Sequence, residues 1–81
     1  MQTNLNFDFP ENIFTPGTHN YILFEHLKRH REITTKEIHN VLHVETARLR
    51  SDIRPHLRKN GYDYIVKTIP GENGNRLYKI V

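Results

Sequence analysis

Apolar residues along this chain follow two periods, and the change falls at Gly61. Before it the spacing is helical. Leu23, Phe24 and Leu27 form one stripe with Tyr21 and Ile22 at its flanks, while Glu25, Lys28 and Arg29 face away, so the pattern predicts a helix over residues 18–30. Thr15 or Thr18 can cap its start, and Pro16 suits a first-turn position. Thr34-Thr35-Lys36-Glu37 reads as a capping box, with the Thr34 hydroxyl accepting from the Glu37 N–H and the Glu37 side chain reaching back. Ile33 and Ile38 are spaced as a hydrophobic staple across that cap. A short second helix follows to about His43, with Ile38, Val41 and Leu42 inward. Thr46, Leu49, Ile53 and Leu57 then share a stripe that predicts a third helix, and Asn60-Gly61 supplies its stop. Pro55 opposes this pattern, because it lacks a donor and crowds the preceding turn. The expectation is a bend at Arg54, or a break followed by a short turn over 56–60.

Beyond Gly61 the period becomes two. Residues 62–69 and 76–81 are β-branched and aromatic, separated by Pro70-Gly71-Glu72-Asn73-Gly74-Asn75, in which Asn73-Gly74 is a type I′ turn signal. Ahead of the first helix, Leu5-Asn6-Phe7-Asp8-Phe9 alternates like a strand, and Pro10 and Thr15-Pro16-Gly17 then break the chain twice. Residues 1–17 therefore read as an arm. Its Phe7, Phe9, Ile13 and Phe14 are expected to clip onto the domain or onto a second copy, and pairing of an edge strand with the C-terminal hairpin is one arrangement that would do so. A two-turn helix joined by a tight turn to a longer one is a helix-turn-helix unit, and the hairpin behind it adds a wing. The expected fold is α+β, mainly α: a winged helix-turn-helix over residues 18–81, preceded by the arm.

Charge sharpens this picture. Among 81 residues the net charge is +3, yet residues 1–17 carry Asp8 and Glu11 and no Lys or Arg, so the remainder holds 12 basic groups against 7 acidic. Between Arg48 and Lys59 there are five basic residues and Asp52 alone to oppose them. Such a local positive field favours a polyanionic partner. With no cysteine, neither a disulfide framework nor a thiolate zinc site is available, and a reducing, cytoplasmic setting is expected. No apolar run reaches membrane-spanning length, and residues 1–6 lack the basic and apolar regions of a signal peptide.

Thr18-His19-Asn20 opening a helix, Leu27, the Ile33-Thr34 step with Glu37, and Leu57-Arg58-Lys59-Asn60-Gly61-Tyr62-Asp63 resemble a phage and prophage family of small winged helix-turn-helix DNA-binding proteins. The resemblance covers roughly residues 15–81. It implies a double-stranded DNA partner and a role in transcription regulation, with an excisionase-like or replication accessory role, or a protein-interaction module docking Phe7, Phe9 and Phe14, as the alternatives. The chain departs from the family pattern in having Arg31 or His43 where glycine is usual, in Pro55, and in one extra residue between Ile53 and Leu57.

In such a unit the third helix enters the major groove and its first half reads base edges. Ala47, Arg48, Ser51, Arg54, Pro55 and Arg58 fall on the outward side, with Arg50 at its edge and Thr46 at the mouth of the helix. Arg48 is the expected reader of guanine, Arg50 a second candidate, and Arg54 and Arg58 lie towards phosphates. Thr34, Thr35 and Lys36 at the start of the second helix suit a backbone phosphate. Lys67, Asn73, Asn75 and Arg76 would carry the wing to a minor groove or flanking phosphate. A homodimer through residues 1–17, matching a palindromic site, is the oligomeric expectation. His26 with His30 and His39 with His43 stand at metal-compatible i, i+4 spacing but lack a third ligand, so no metal or other cofactor is expected. No nucleophile elbow, phosphate loop or paired carboxylates are present, and the chain is not read as an enzyme.

Overall fold

The computed structural model describes residues 9–81. Helix 1, His19–His30, starts where the Thr18 hydroxyl accepts from the Tyr21 N–H at 3.3 Å and donates to the Thr15 carbonyl at 2.7 Å. Thr18 is therefore the cap, and Pro16 lies in the turn ahead of it. The predicted stripe is buried: Leu23, Phe24 and Leu27 are fully enclosed, whereas Ile22 is exposed. The helix ends at Arg31, whose φ of 63° is left-handed and whose N–H reaches the Leu27 carbonyl at 2.8 Å.

A three-residue strand absent from the sequence expectations follows at once. β1, Glu32–Thr34, pairs antiparallel with β3, Arg76–Ile80, which in turn pairs antiparallel with β2, Tyr64–Thr68, giving the sheet order β1-β3-β2. Ile33 is thus both strand and staple, enclosed with Ile38. The capping box forms as expected, with Glu37 N–H to Thr34 Oγ1 at 3.2 Å and Thr34 N–H to Glu37 Oε1 at 3.0 Å.

Helix 2 occupies residues 35–41, and its Glu37–Val41 part is π-wound. The wider turn changes which residues face inward. Ile38 is buried and Leu42 half-buried, but Val41, expected inside, is 66% exposed. The helix closes across His43, at φ 56°, with the Val44 N–H on the Ile38 carbonyl at 2.8 Å. This resembles a Schellman closure made one residue wider by the π winding.

Helix 3 occupies residues 47–59 without a break, which corrects the expected stop at Pro55, and the winding changes from π to α at Arg54. Its Leu49–Ile53 part is π-wound, and the Arg54 N–H bonds the Leu49 carbonyl, five residues back. That wide turn falls where a regular α-turn would set the Pro55 ring against the Ser51 carbonyl, so the proline opens the helix locally and does not end it. Leu49, Ile53 and Leu57 are buried as one row, while Thr46 is half-buried in the turn before it. Gly61, at φ 85°, completes the stop with its N–H on the Arg58 carbonyl at 3.1 Å and the Tyr62 N–H on the Leu57 carbonyl at 2.8 Å.

The hairpin connection is not the predicted type I′ turn. Two turns follow each other, closed by Glu72 N–H to Ile69 O and Asn75 N–H to Glu72 O, with Gly71 and Gly74 at positive φ in third place. Asn73 is not left-handed, and a type I′ turn needs both central residues to be so. The described part of the arm belongs to the core. Phe9 is 4% exposed, with its ring against those of Phe24 and Tyr62, and Phe14 packs on Phe24. Asn12 pins the segment by donating to the Tyr21 carbonyl and to Glu25. The predicted strand and dimer contact of the arm otherwise fall on residues outside those described; of the remainder, Phe9 and Phe14 are occupied within their own chain and Ile13 is exposed. Among the described residues no helix is long and apolar enough to cross a membrane.

Candidate nucleic-acid interface

The outward side of helix 3 is where the sequence concentrates positive charge, and the structure sorts its arginines into three kinds. Arg48 turns inward. Its Nη1 donates to Asn20 Oδ1 of helix 1 at 3.3 Å, and the guanidinium lies 3.6 Å from Asp52 and 3.9 Å from Glu45. Asn20 also donates to Asp52 at 3.0 Å, so four side chains close a polar network between helices 1 and 3. Helical phase gives the direction of a Cα–Cβ bond, but a long side chain swings to the nearest carboxylates, here at i−3 and i+4. The expected base reader is thus tied down.

Arg50 is exposed and has no hydrogen-bond or ion-pair partner among the described residues. Arg54 and Arg58 converge on Asp63, just beyond the helix. Arg54 Nε lies 2.6 Å from Asp63 Oδ1 and Arg58 Nε 3.0 Å from Oδ2, and the Arg54 guanidinium also stacks 4.5 Å over the Tyr64 ring. The Arg54 hydrogen bond, helped by the Tyr64 N–H and Arg58, holds the Asp63 carboxyl down to about 2. The same contact raises Arg54, and burial raises the Tyr64 hydroxyl. Arg50, Arg54, Pro55 and Arg58 together line a shallow recess of ≈ 420 Å³ on the surface. Beside it Ala47 and Ser51 are exposed and small, with the Ser51 hydroxyl donating back to the Ala47 carbonyl at 3.0 Å.

The start of helix 2 and the β2–β3 connection, predicted as two separate phosphate sites, are instead stitched to each other. The Asn75 side chain, 6% exposed, accepts from the Lys36 N–H at 3.0 Å and donates to Glu72 at 2.9 Å. Lys36 Nζ reaches the same Glu72 oxygen at 3.1 Å, and Asn75 and Lys36 together lower the Glu72 carboxyl. The Thr35 hydroxyl accepts from the Arg76 N–H at 3.0 Å, and the Thr34 hydroxyl is taken up by the capping box. The side chains of Asn75, Thr34 and Thr35 are thus engaged within the chain. Lys67, Asn73 and the Arg76 side chain stay exposed without partners among the described residues.

Sequence reasoning missed Asp63, the residue on which Arg54 and Arg58 converge. The signal was present in the Arg54, Arg58, Asp63 spacing across a helix stop, but it needs the chain to reverse at Gly61. The histidine pair at His26 and His30 does form a face, with ring centroids 4.5 Å apart, and burial lowers His26 against the opposing pull of Glu37. Among the described residues no group of three or more metal-ligating side chains comes together. No family model, curated protein or solved structure matches this chain.

Proposed function

We propose that the chain binds double-stranded DNA as a winged helix-turn-helix domain, laying helix 3 in the major groove to regulate transcription as phage-type regulators of this size do. The observation that carries the reading is the ridge of Arg50, Arg54 and Arg58 around one surface recess, beside the small, exposed Ala47 and Ser51. Small residues allow a helix to approach base edges, and guanidinium groups suit both guanine and phosphate. The pairing of β1 with β3, and the short helix 2 turning into helix 3, agree with the element order that such domains use. Arg50 takes the base-reading role, since Arg48 is bound within the chain. Lys67 and Arg76 supply the wing contact, and Arg54 and Arg58 the phosphates. The docking of Phe9 and Phe14 on a partner loses its support, because both rings pack within their own chain.

Selection of bound sequences from random duplexes, at low and at physiological salt, tests this reading. The expected result is a short motif that persists at the higher salt. Preference for bendable sequences without a motif would replace regulation by an architectural role, and no retention at low salt would end the DNA reading altogether.

A further inference from the structure

The arginine ridge contains one negative charge, and its position is specific. Asp63 takes the Nε–H groups of Arg54 and Arg58, which stand one helical turn apart, on its two oxygens, at 2.6 Å and 3.0 Å. A third donor, the Tyr64 N–H, lies 2.7 Å from Oδ1, and the Asp63 backbone pairs with Val81 in both directions. The carboxylate is thus fixed to the sheet and receives two side chains from the helix. Arg58 remains 60% exposed, and its terminal nitrogens have no acceptor among the described residues. A phosphate offers the same two-oxygen arrangement that Asp63 does.

We propose that Asp63 is a specificity-determining residue: it stands where a phosphate would, holds Arg54 and Arg58 in one geometry, and cancels part of their charge, so that the domain binds arbitrary DNA weakly. This rests on the DNA-binding reading given above. The cancellation matters because non-specific affinity scales with the number of phosphates neutralised, whereas base reading by Arg50, which has no carboxylate partner, does not draw on Asp63. Removing the carboxylate charge leaves two guanidinium groups without a counter-ion beside an already basic surface. They then take a phosphate from any duplex.

The test compares the full chain with Asp63→Asn and Asp63→Glu on a selected duplex and on a random one of equal length, by fluorescence anisotropy over a tenfold range of salt. Asp63→Asn keeps an oxygen acceptor, and Asp63→Ser serves as a second neutral variant should the first fail to fold, which circular dichroism reports. The neutral variant is expected to steepen the slope of log affinity against log salt by about 0.9 on random DNA, so its advantage over the parent grows about eightfold for each tenfold drop in salt. The ratio of selected to random affinity falls, while Asp63→Glu, which keeps the charge, leaves the slope as it was. An unchanged slope in a folded neutral variant overturns the role of Asp63, whatever happens to its melting temperature. A parent chain that binds neither duplex overturns the DNA reading itself, a failure that is distinct because no slope can then be measured.

Discussion

Helices 2 and 3 are built alike and put to opposite uses. Each contains a π-wound turn, each closes on a left-handed residue, and each carries basic and hydroxyl residues that the sequence marks as contacts for a polyanion. In helix 2 those groups are consumed internally: Thr34 by Glu37, Thr35 by Arg76, and Lys36 by Asn75 and Glu72. In helix 3 Arg48 is tied to Asn20, Glu45 and Asp52, Arg54 and Arg58 share Asp63, and Arg50 has no partner among the described residues, yet the last three still line one outer surface. The difference lies in what stands opposite. Helix 2 begins against the β2–β3 connection, which brings an amide and a carboxylate to within hydrogen-bond reach. The outer arginines at the far end of helix 3 meet one carboxylate, Asp63, which Arg54 and Arg58 share. A basic residue stays available to a partner to the extent that the fold leaves it short of acceptors.

The largest effect should come from breaking the stitch at helix 2. Asn75→Ala leaves the Lys36 N–H without its acceptor and Glu72 without a donor, at a cost of about 1–3 kcal/mol in folding free energy. Urea denaturation measures it, and affinity for DNA should change little once the variant is folded. A stable Asn75→Ala protein with a large loss of affinity would mean that Asn75 faces the partner after all. On helix 3 the two neighbouring arginines separate the same question. Arg50→Ala should cost about 1–3 kcal/mol on a selected duplex and much less on a random one. Arg48→Ala should lower stability by about 0.5–1 kcal/mol and leave discrimination intact, because its partners are Asn20, Glu45 and Asp52. The reverse pattern would restore Arg48 as the reader.

Much of the scaffold was legible in the sequence because it follows from local rules. The helix 1 stripe, the capping box, the Ile33–Ile38 staple, the Leu49-Ile53-Leu57 row and the Gly61 stop all involve residues within a few positions of each other. What was missed depends on partners that meet only after folding. β1 is three residues long and exists because β3 lies beside it, so no window over residues 32–34 could reveal it. The direction of Val41 and the continuity through Pro55 both turn on π winding, which shifts the helical phase without leaving a mark on hydrophobic spacing. The candidate site divides in the same way. Periodicity places Arg50 and Arg58, whereas the inward turns of Arg48 and Asn75 also draw on groups of other elements, the Asn20 side chain of helix 1 and the Lys36 N–H of helix 2. In Arg48 the i−3 and i+4 carboxylates were there to be read and were outweighed by the helical phase.

Acid offers a further comparison of the two helices, through the carboxylate each one meets. Asp63 is held from an ordinary 3.8 down to about 2, and Glu72 is lowered by Asn75 and then Lys36. A carboxyl lowered in the folded state contributes stability that is complete above its unfolded value and is lost as pH falls towards its folded one. Stability should therefore decline between about pH 4 and 2, and Asp63→Asn should flatten that decline more than Glu72→Gln, since Asp63 receives two guanidinium groups and Glu72 one ammonium. His26, lowered by burial, adds an earlier decline that begins below its ordinary 6.5, where the unfolded chain takes up a proton that the folded one resists. Urea midpoints measured from pH 7 to 2 resolve the two steps. If Asp63→Asn follows the parent curve throughout, the pairing with Arg54 and Arg58 contributes no measurable stability.

The smallest effect concerns how the two helices end. Helix 3 closes on Gly61 at φ 85°, and helix 2 on His43 at φ 56°. The geometry is shared but the residue is not. A side chain in the left-handed region costs roughly 1–2 kcal/mol, and glycine escapes this at the expense of about 0.5–1 kcal/mol of unfolded-state entropy. His43 is exposed and makes no hydrogen bond or ion pair among the described residues, so nothing offsets its strain. His43→Gly should then stabilise the domain by about 0.5–1 kcal/mol, raising the melting temperature by roughly 2–8 °C. Arg31, the other left-handed residue, should not behave in this way. Its guanidinium stacks 4.4 Å over the Phe9 ring and its carbonyl accepts from the Ile80 N–H, so Arg31→Gly relieves the backbone but removes the cation–π contact that helps to hold residue 9 in the core. Paired melting curves of the two variants decide the point. A lower melting temperature for His43→Gly would show that the stiffness of the turn into helix 3 outweighs the strain of its left-handed histidine.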